Sequence, residues 1–82
     1  MQIDWIAVKD MLPPEPIKPV ENLAKIINGL EEGELEEYLV TIEGAVKATT
    51  LYYIGNGEWW DAITQNFYPV VAWNRLPEAY KG

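Results

Sequence analysis

The spacing of apolar residues along this 82-residue chain changes from one segment to the next. Apolar and polar positions alternate from Tyr38 to Glu43, which places Tyr38, Val40 and Ile42 on one face of a predicted β-strand. Other stretches rich in β-branched and aromatic residues predict further strands. The predicted strands cover residues 5–8, 38–43, 45–54, 58–60 and 70–73.

A helical period follows the first predicted strand. Apolar residues recur at the i, i+3, i+4, i+7 spacing of an amphipathic helix, at Val20, Leu23, Ala24, Ile27 and Leu30. This stripe predicts one helix over about residues 20–28, with Pro19 at its first position and Gly29 as its C-terminal stop. Glu21 and Lys25 are spaced to form an ion pair. A helix this short needs a sheet to cover its apolar side.

Two turn signals indicate how the strands pair. Asn56-Gly57 tolerates the positive φ values of a two-residue hairpin, and Glu43-Gly44 ends the second predicted strand. The second, third and fourth predicted strands are therefore expected side by side. The fold class is α+β, a mainly antiparallel sheet of four or five strands with one short helix packed on one face. The expected core consists of Trp5, Ile6, Val8, Leu23, Ile27, Val40, Ile42, Val46, Tyr52, Trp59, Val71 and Trp73.

The length favours a single domain over residues 1–82, because a chain this short builds only one small core. Clustered prolines predict an extended, polyproline-like loop at about residues 13–19. Trp5 and Trp73 lie in two similar segments, residues 5–13 and 70–77, in which an apolar stretch is followed by Leu-Pro. We call these the Leu-Pro segments. We expect their indoles to converge in the core.

The formal net charge of −7 repels phosphate backbones and anionic lipid headgroups, so neither nucleic acid nor a membrane is an expected partner. No stretch approaches the length of a membrane helix, and the chain is expected to be soluble. The acidic residues cluster at about residues 31–37, at Glu31, Glu32, Glu34, Glu36 and Glu37. This run indicates first a solvated linker and second a docking surface for a basic partner.

Trp59 and Trp60 are adjacent, so they point to opposite faces of their strand, and at most one can enter a one-sided core. The other is expected to be covered by packing within the protein or its dimer, by a partner protein, or by a stacked small ligand. Both indoles are therefore candidates for partner binding, together with the acidic cluster.

The chain has no His, Cys or Ser, which excludes Ser-His-Asp and Cys-His catalysis and histidine-based metal sites. The acids beside the tryptophans, Glu58 and Asp61, are typical of polar hairpin positions flanking core aromatics. No glycine-rich phosphate loop and no calcium loop is present in the sequence. We therefore expect no enzyme activity, no cofactor and no metal.

The residues at both ends and in the hairpin resemble a family of small phage and prophage proteins, domain-of-unknown-function family 551. The matching segments are Trp5-Ile6-Ala7-Val8, Leu12-Pro13, Gly55-Asn56-Gly57-Glu58-Trp59, Val70-Val71-Ala72-Trp73 and Leu76-Pro77-Glu78. The sequence departs from the family at Ala7, where Ser is usual, at Ala72, where His is usual, and at Asn74-Arg75, where Met-Pro is usual. The resemblance implies a sheet-rich accessory protein of the bacterial cytoplasm.

The leading functional hypothesis is a small accessory protein that binds another protein or its own copies as a homo-oligomer. A nucleic-acid mimic that occupies a DNA-binding protein is one form of this hypothesis. The alternative is a small-ligand or carbohydrate-binding module that uses an exposed indole from the Trp59-Trp60 pair, together with Tyr52 or Tyr53.

Overall fold

The computed structural model describes residues 4–16 and 22–77, which form one helix and six strands. The helix is α1 (Leu23–Glu31). The strands are β1 (Ile6–Ala7), β2 (Glu37–Ile42), β3 (Thr49–Gly55), β4 (Glu58–Asp61), β5 (Asn66–Phe67) and β6 (Val70–Arg75). The fold is therefore α+β with an antiparallel sheet, as predicted, but with six strands rather than four or five. Within those residues, no helix has the length and apolarity that crossing a membrane requires.

The sheet has the order β1-β6-β2-β3-β4-β5, and all its pairings are antiparallel. The adjacency of β2, β3 and β4 confirms the prediction from the two turns. β6 lies between β1 and β2, and Ile6 stands opposite Trp73 in the register. The pairing of β1 with β6 thus brings the two Leu-Pro segments together.

The β3–β4 hairpin has the turn that its sequence predicts. Gly55 pairs with Glu58, which leaves Asn56 and Gly57 as a two-residue loop. Their φ angles are 53° and 76°, the doubly positive combination of a type I′ turn. Local turn chemistry alone was enough to predict this feature.

The helix begins and ends later than the predicted range of 20–28. The Asn22 side chain caps its N-terminus by accepting a hydrogen bond from the Lys25 N–H at 3.0 Å. The expected first position at Pro19 and the Glu21–Lys25 pair involve residues outside those that the structure describes. Gly29 is buried inside the helix rather than ending it. A Cβ there would lie 3.2 Å from Leu35 Cγ, so this glycine provides space for Leu35.

The side of the helix that faces the sheet also differs from the predicted stripe. Ile26 is the helix side chain that is fully buried, whereas Leu23 and Ile27 are exposed. The close approach of Leu35 to Gly29 turns the Ile26–Gly29 side inward. The helix covers only part of one sheet face, through contacts with residues of β3 and β4.

Each face of the sheet carries its own core. The main cluster contains Tyr38, Val40, Leu51, Tyr53, Trp59, Val70 and Trp73. The helix cluster contains Ile26, Leu35, Ile54 and Trp60. Trp59 and Trp60 are 2% and 1% exposed, one in each cluster, so packing within the protein covers both indoles. The core is two-sided at β4, so the limit of one buried indole for a one-sided core does not apply, and the expected cover by packing within the protein is confirmed for both indoles.

The core prediction holds for Val40, Trp59 and Trp73, which are buried. Partly buried residues of the predicted set pack against the clusters: Ile6, Val8, Ile42 and Tyr52. The remaining predicted core residues are exposed, namely Trp5, Leu23, Ile27, Val46 and Val71.

Three of these errors have a direct structural reason. Val46 is 98% exposed because β3 begins at Thr49 and not at Ala45, which leaves Val46 in the β2–β3 loop. Val71 lies at a register shift between β2 and β6, which interrupts the alternation of faces. Trp5 is 39% exposed because Ile6, opposite Trp73, takes the inward position. The two indoles therefore do not meet in the core.

Candidate functional site

A groove runs between α1 and the β4–β5 end of the sheet. It encloses a cavity of about 400 Å³. Its apolar lining residues are Leu23, Ile26, Ile54, Trp60 and Phe67, and its polar lining residues are Asn22, Glu58 and Gln65. We call this feature the helix groove.

The apolar lining divides into a buried floor and an exposed rim. Ile26, Ile54 and Trp60 belong to the helix cluster and form the floor. Leu23, at the start of α1, is 47% exposed, and Phe67, in β5, is 53% exposed. Two large apolar side chains on different elements thus border one concave surface and remain in contact with water.

The polar side of the helix groove has one carboxylate, that of Glu58, and two amide side chains. The side-chain carbonyl oxygen of Asn22 already accepts a hydrogen bond from the helix backbone. Glu58 is exposed at the start of β4, and its carboxylate forms no hydrogen bond or ion pair with other residues in the part of the chain described here. This carboxylate can therefore meet a cation on a bound molecule without breaking an existing contact.

A tight turn between β4 and β5 shapes the far end of this groove. The Asp61 carboxylate accepts hydrogen bonds from the Ile63 N–H at 3.2 Å and from the Thr64 hydroxyl at 3.0 Å. The Gln65 N–H donates to the Asp61 carbonyl oxygen at 2.8 Å, and Gln65 has a φ of 57°. Asp61, the last residue of β4, thus stabilises the turn that follows it, which agrees with the hairpin position predicted for it.

A second concave site, the acidic cleft, lies between residues 13–16, called the proline loop below, and the loop that joins α1 to β2. It has a volume of about 340 Å³. Three glutamates and two tyrosines line it, with Pro14, Pro16 and Gly33: Glu15, Glu34, Glu36, Tyr38 and Tyr53.

Glu15 holds the proline loop against the β3–β4 hairpin at one side of the acidic cleft. Its carboxylate accepts hydrogen bonds from the Asn56 N–H, at 3.1 Å to the nearer oxygen, and from the Tyr53 hydroxyl at 3.3 Å. The Tyr53 hydroxyl oxygen in turn accepts from the Gly57 N–H at 3.0 Å. The carboxylate therefore has a structural task in the hairpin.

The tyrosines of the acidic cleft are held in their protonated form. Burial, followed by the hydrogen bond to Glu36 at 2.6 Å, raises the pKa of Tyr38 to about 12. Burial also raises the pKa of Tyr53, although the N–H of Gly57 opposes this shift. At neutral pH both side chains are uncharged phenols that donate hydrogen bonds.

The residues that the sequence singled out are divided among several environments. Trp60 lies under the helix groove, while Trp59 lies in the main cluster on the opposite face. Two of the five clustered acids, Glu34 and Glu36, line the acidic cleft.

The other three clustered acids lie outside both concave sites. Glu31 is the last residue of α1, Glu32 follows it as the C-cap, and Glu37 begins β2. The predicted linker at about 31–37 is therefore a short connection whose two ends belong to regular elements.

Sequence reasoning did not find the helix groove. Ile26, Ile54 and Phe67 were not singled out, because the groove exists only where α1 packs on β3 and β4 beside β5. Adjacent Trp59-Trp60 was the one signal that pointed to this region, since it indicated two faces in need of cover.

Among residues 4–16 and 22–77, no group of three or more acidic, histidine or cysteine side chains is arranged to hold a metal ion. Comparisons of the chain with models of known protein families, with curated proteins and with solved structures give no match. The resemblance to family 551 therefore stays a prediction.

Proposed function

We propose that this protein acts by binding a segment of another protein in the helix groove, and that the segment carries an apolar side chain beside a lysine or arginine. The observation that carries the proposal is the exposure of Leu23 and Phe67 beside a floor of buried side chains. Exposed apolar residues that border a concave apolar surface are characteristic of interaction sites.

The size of the effect follows from the exposed area of these two residues. Covering a fully exposed Leu or Phe side chain contributes roughly 1.5–3 kcal/mol. About half of each side chain is still accessible, so the pair offers the equivalent of one such side chain. A contribution of roughly 2 kcal/mol corresponds to about a thirtyfold change in affinity, which a titration resolves.

The negative charge of the protein favours a basic partner. The chain carries a net charge of −7, and Glu58 places beside the apolar lining a carboxylate that no described residue pairs with. A positively charged partner is attracted over a distance, whereas a second copy of this chain is repelled. For this reason we propose a different protein as the partner and treat self-association as the competing outcome.

The wider role that we propose is that of a phage or prophage accessory protein in the cytoplasm of a bacterial host. This role rests on the resemblance of the two Leu-Pro segments and of the β3–β4 hairpin sequence to family 551. Binding rather than catalysis is supported by the state of the acidic groups, since Glu15, Glu36 and Asp61 already hold hydrogen bonds within the fold.

A small ligand is the second candidate. The cavity of about 400 Å³ falls at the lower end of the range for small-molecule sites, about 300–1,000 Å³, and Trp60 and Phe67 provide aromatic lining. A carbohydrate stacked on an exposed indole of the Trp59-Trp60 pair has less support, because both indoles are buried. An apolar amine is the ligand that would fit this lining and Glu58.

The proposal is tested by selecting peptides from a random display library on the immobilised protein. Leu23→Asp is the groove variant, and Val46→Asp is its matched control. Each adds one negative charge at an exposed apolar residue, and Val46 lies in the β2–β3 loop. We expect enriched peptides with an apolar residue next to Lys or Arg, whose affinity falls at least tenfold with Leu23→Asp and is unchanged with Val46→Asp.

A second pair of variants tests the charge. Glu58→Gln is expected to weaken binding of the same peptides and to reduce its dependence on salt. Glu43→Gln, at a glutamate in the β2–β3 turn, removes the same charge elsewhere and should have little effect. Peptides that bind Leu23→Asp as well as the unaltered protein would refute the proposal. Enrichment of none, with binding of apolar amines instead, would favour the small-ligand candidate.

A further inference from the structure

One edge of the sheet lies directly beside the helix groove. Among residues 4–16 and 22–77, β5 pairs with β4 alone, so it is the last described strand on that side. Phe67 stands opposite Trp60 in the register, and its side chain lines the groove on the same face. The edge backbone and the apolar groove are thus presented together.

The hydrogen-bonding pattern shows which way the Phe67 backbone points. The Tyr68 N–H donates to the Trp59 carbonyl oxygen at 3.1 Å. In an antiparallel pair, hydrogen-bonded and non-hydrogen-bonded positions alternate, so Trp60 and Phe67 form a non-hydrogen-bonded pair. The N–H and C=O of Phe67 therefore point away from β4, toward the open side of the edge.

The opposite edge of the sheet is treated differently. β1 pairs with β6, and the Val8 N–H donates to the Val71 carbonyl oxygen, so Ala7 is the residue whose backbone points outward there. The outward carbonyl oxygen of Ala7 accepts hydrogen bonds from the N–H groups of Asp10, at 2.9 Å, and Met11, at 3.1 Å. The chain's own turn thus occupies this edge, while no described residue forms a hydrogen bond with the outward N–H or C=O of Phe67.

We infer that the partner segment adds to β5 as a further strand, with one of its residues forming a hydrogen-bonded pair with Phe67. This inference rests on the proposed function and specifies how the groove is used. The residue opposite Phe67 donates to its C=O and accepts from its N–H. Its side chain lies on the same face as Phe67 and enters the helix groove.

The same geometry restricts the partner's sequence. Successive side chains of a strand alternate between faces, so an apolar residue at the pairing position is flanked by residues that face away from the groove floor. Basic residues at those flanking positions remain in water on the face opposite Glu58, and the net charge of −7 rather than that one carboxylate attracts them. The partner segment is therefore an extended stretch in which apolar and basic residues alternate.

The probe for this inference is the synthetic peptide Lys-Ile-Lys-Phe-Lys-Ile-Lys. Its control has the same composition in blocks, Ile-Ile-Phe-Lys-Lys-Lys-Lys, and so carries the same charge. The readout is hydrogen exchange of the Phe67 amide in the isotope-labelled protein, with the methyl signals of Leu23 and Ile26 as reporters of the groove. We expect the alternating peptide to slow Phe67 exchange at least tenfold near saturation and the block peptide to have little effect.

Single N-methylation along the alternating peptide separates strand addition from side-chain docking. Removing the one amide that pairs with Phe67 should weaken binding by about tenfold, whereas methylation of the adjacent amides, which point away, should cost little. The peptides methylated at the adjacent amides are the control, because they carry the same added methyl group and keep all peptide side chains.

Four results would overturn the inference. If the groove methyl signals shift while Phe67 exchange is unchanged, the groove binds but strand addition is wrong, and the proposed function stands. The same conclusion follows if the loss of affinity on N-methylation does not alternate between successive amides of the peptide. If the alternating peptide does not bind at about 1 mM, strand addition is wrong and the display selection alone decides the groove. Light scattering that shows a dimer whose interface protects Phe67 would identify a second copy as the occupant and overturn the inference.

Discussion

Gly55 allows the sharpest test of how the proline loop is attached to the sheet. Its φ is 99°, in the region that residues with a Cβ rarely adopt. A Cβ at this position would lie 2.8 Å from the Glu15 Oε2 atom and 3.2 Å from Pro16 Cδ. Gly55→Ala therefore strains the backbone and also pushes Glu15 away from the hairpin.

The two costs of Gly55→Ala can be estimated separately. A residue with a Cβ held at positive φ costs roughly 1–2 kcal/mol. Displacing Glu15 loses its charge-assisted hydrogen bond to the Asn56 N–H, which contributes roughly 1–2 kcal/mol at this exposed position. We expect a total loss of about 2–4 kcal/mol from a domain whose free energy of unfolding is on the order of 4–12 kcal/mol.

Gly44→Ala is the matched control, because Gly44 has a φ of 79° and no atom within 4 Å of an added Cβ. It should cost only the backbone strain. Urea unfolding followed by tryptophan fluorescence measures both variants, and each kcal/mol corresponds to a Tm shift of about 4–8 °C for a domain of this size. The difference between the two variants is the contribution of the contact with Glu15.

Glu15→Ala, alone and combined with Gly55→Ala, completes a double-mutant cycle. In the absence of the Glu15 carboxylate, Gly55→Ala should cost about 1–2 kcal/mol less than it does in the unaltered protein. Equal losses for Gly55→Ala and Gly44→Ala, or additive effects of Glu15→Ala and Gly55→Ala, would refute this account of the loop.

Three further predictions concern the core, the β4–β5 turn and the tyrosines. Trp59→Ala should lower the free energy of unfolding by about 3–5 kcal/mol, because it removes the large side chain at the centre of the main cluster. The shift of the urea transition to lower concentration, or its complete loss, is the measurement. Asp61→Ala should cost about 1 kcal/mol in the same assay, whereas Asp61→Asn keeps an acceptor for the turn and should cost less. The pKa of Tyr38 is raised from 10.0 to about 12 in the folded protein, so above pH 10 the unfolded chain loses this proton first. The Tm should therefore fall between pH 10 and 12, and Tyr38→Phe should make that fall less steep; an equally steep fall in both proteins would contradict the assignment.

The parts of the fold that depend on local chemistry could be predicted from the sequence. Asn56-Gly57 determines its own turn, and the alternation from Tyr38 to Glu43 determines which residues of β2 face the main cluster. Both features depend on neighbours in the chain, which the sequence contains directly.

The orientation of the helix could not be predicted in this way. Its apolar residues allow more than one side to face inward, and the contact of Leu35 with Gly29 decides between them. That contact depends on how the chain returns from α1 to β2. For the same reason the sequence did not indicate that Leu23 borders a groove rather than lying in the core.

The candidate site was less accessible to prediction than the fold. The helix groove combines residues from α1, β3, β4 and β5, and β5 is only two residues long. Glu15 contacts a hairpin 41 residues away, and nothing in the proline loop itself distinguishes that glutamate from the others. Sites of this kind arise from tertiary proximity and require the structure.

The position of β6 between β1 and β2 has a consequence for folding during synthesis. β2, β3 and β4 follow one another in the chain and can form a meander as soon as they leave the ribosome. Until Val70–Arg75 has also emerged, β2 presents an unpaired side to other nascent chains, which is a recognised route to aggregation. The slowest and most vulnerable stage of biogenesis should therefore be the insertion of this last strand, and a pause in translation just before Val70 should prolong that stage.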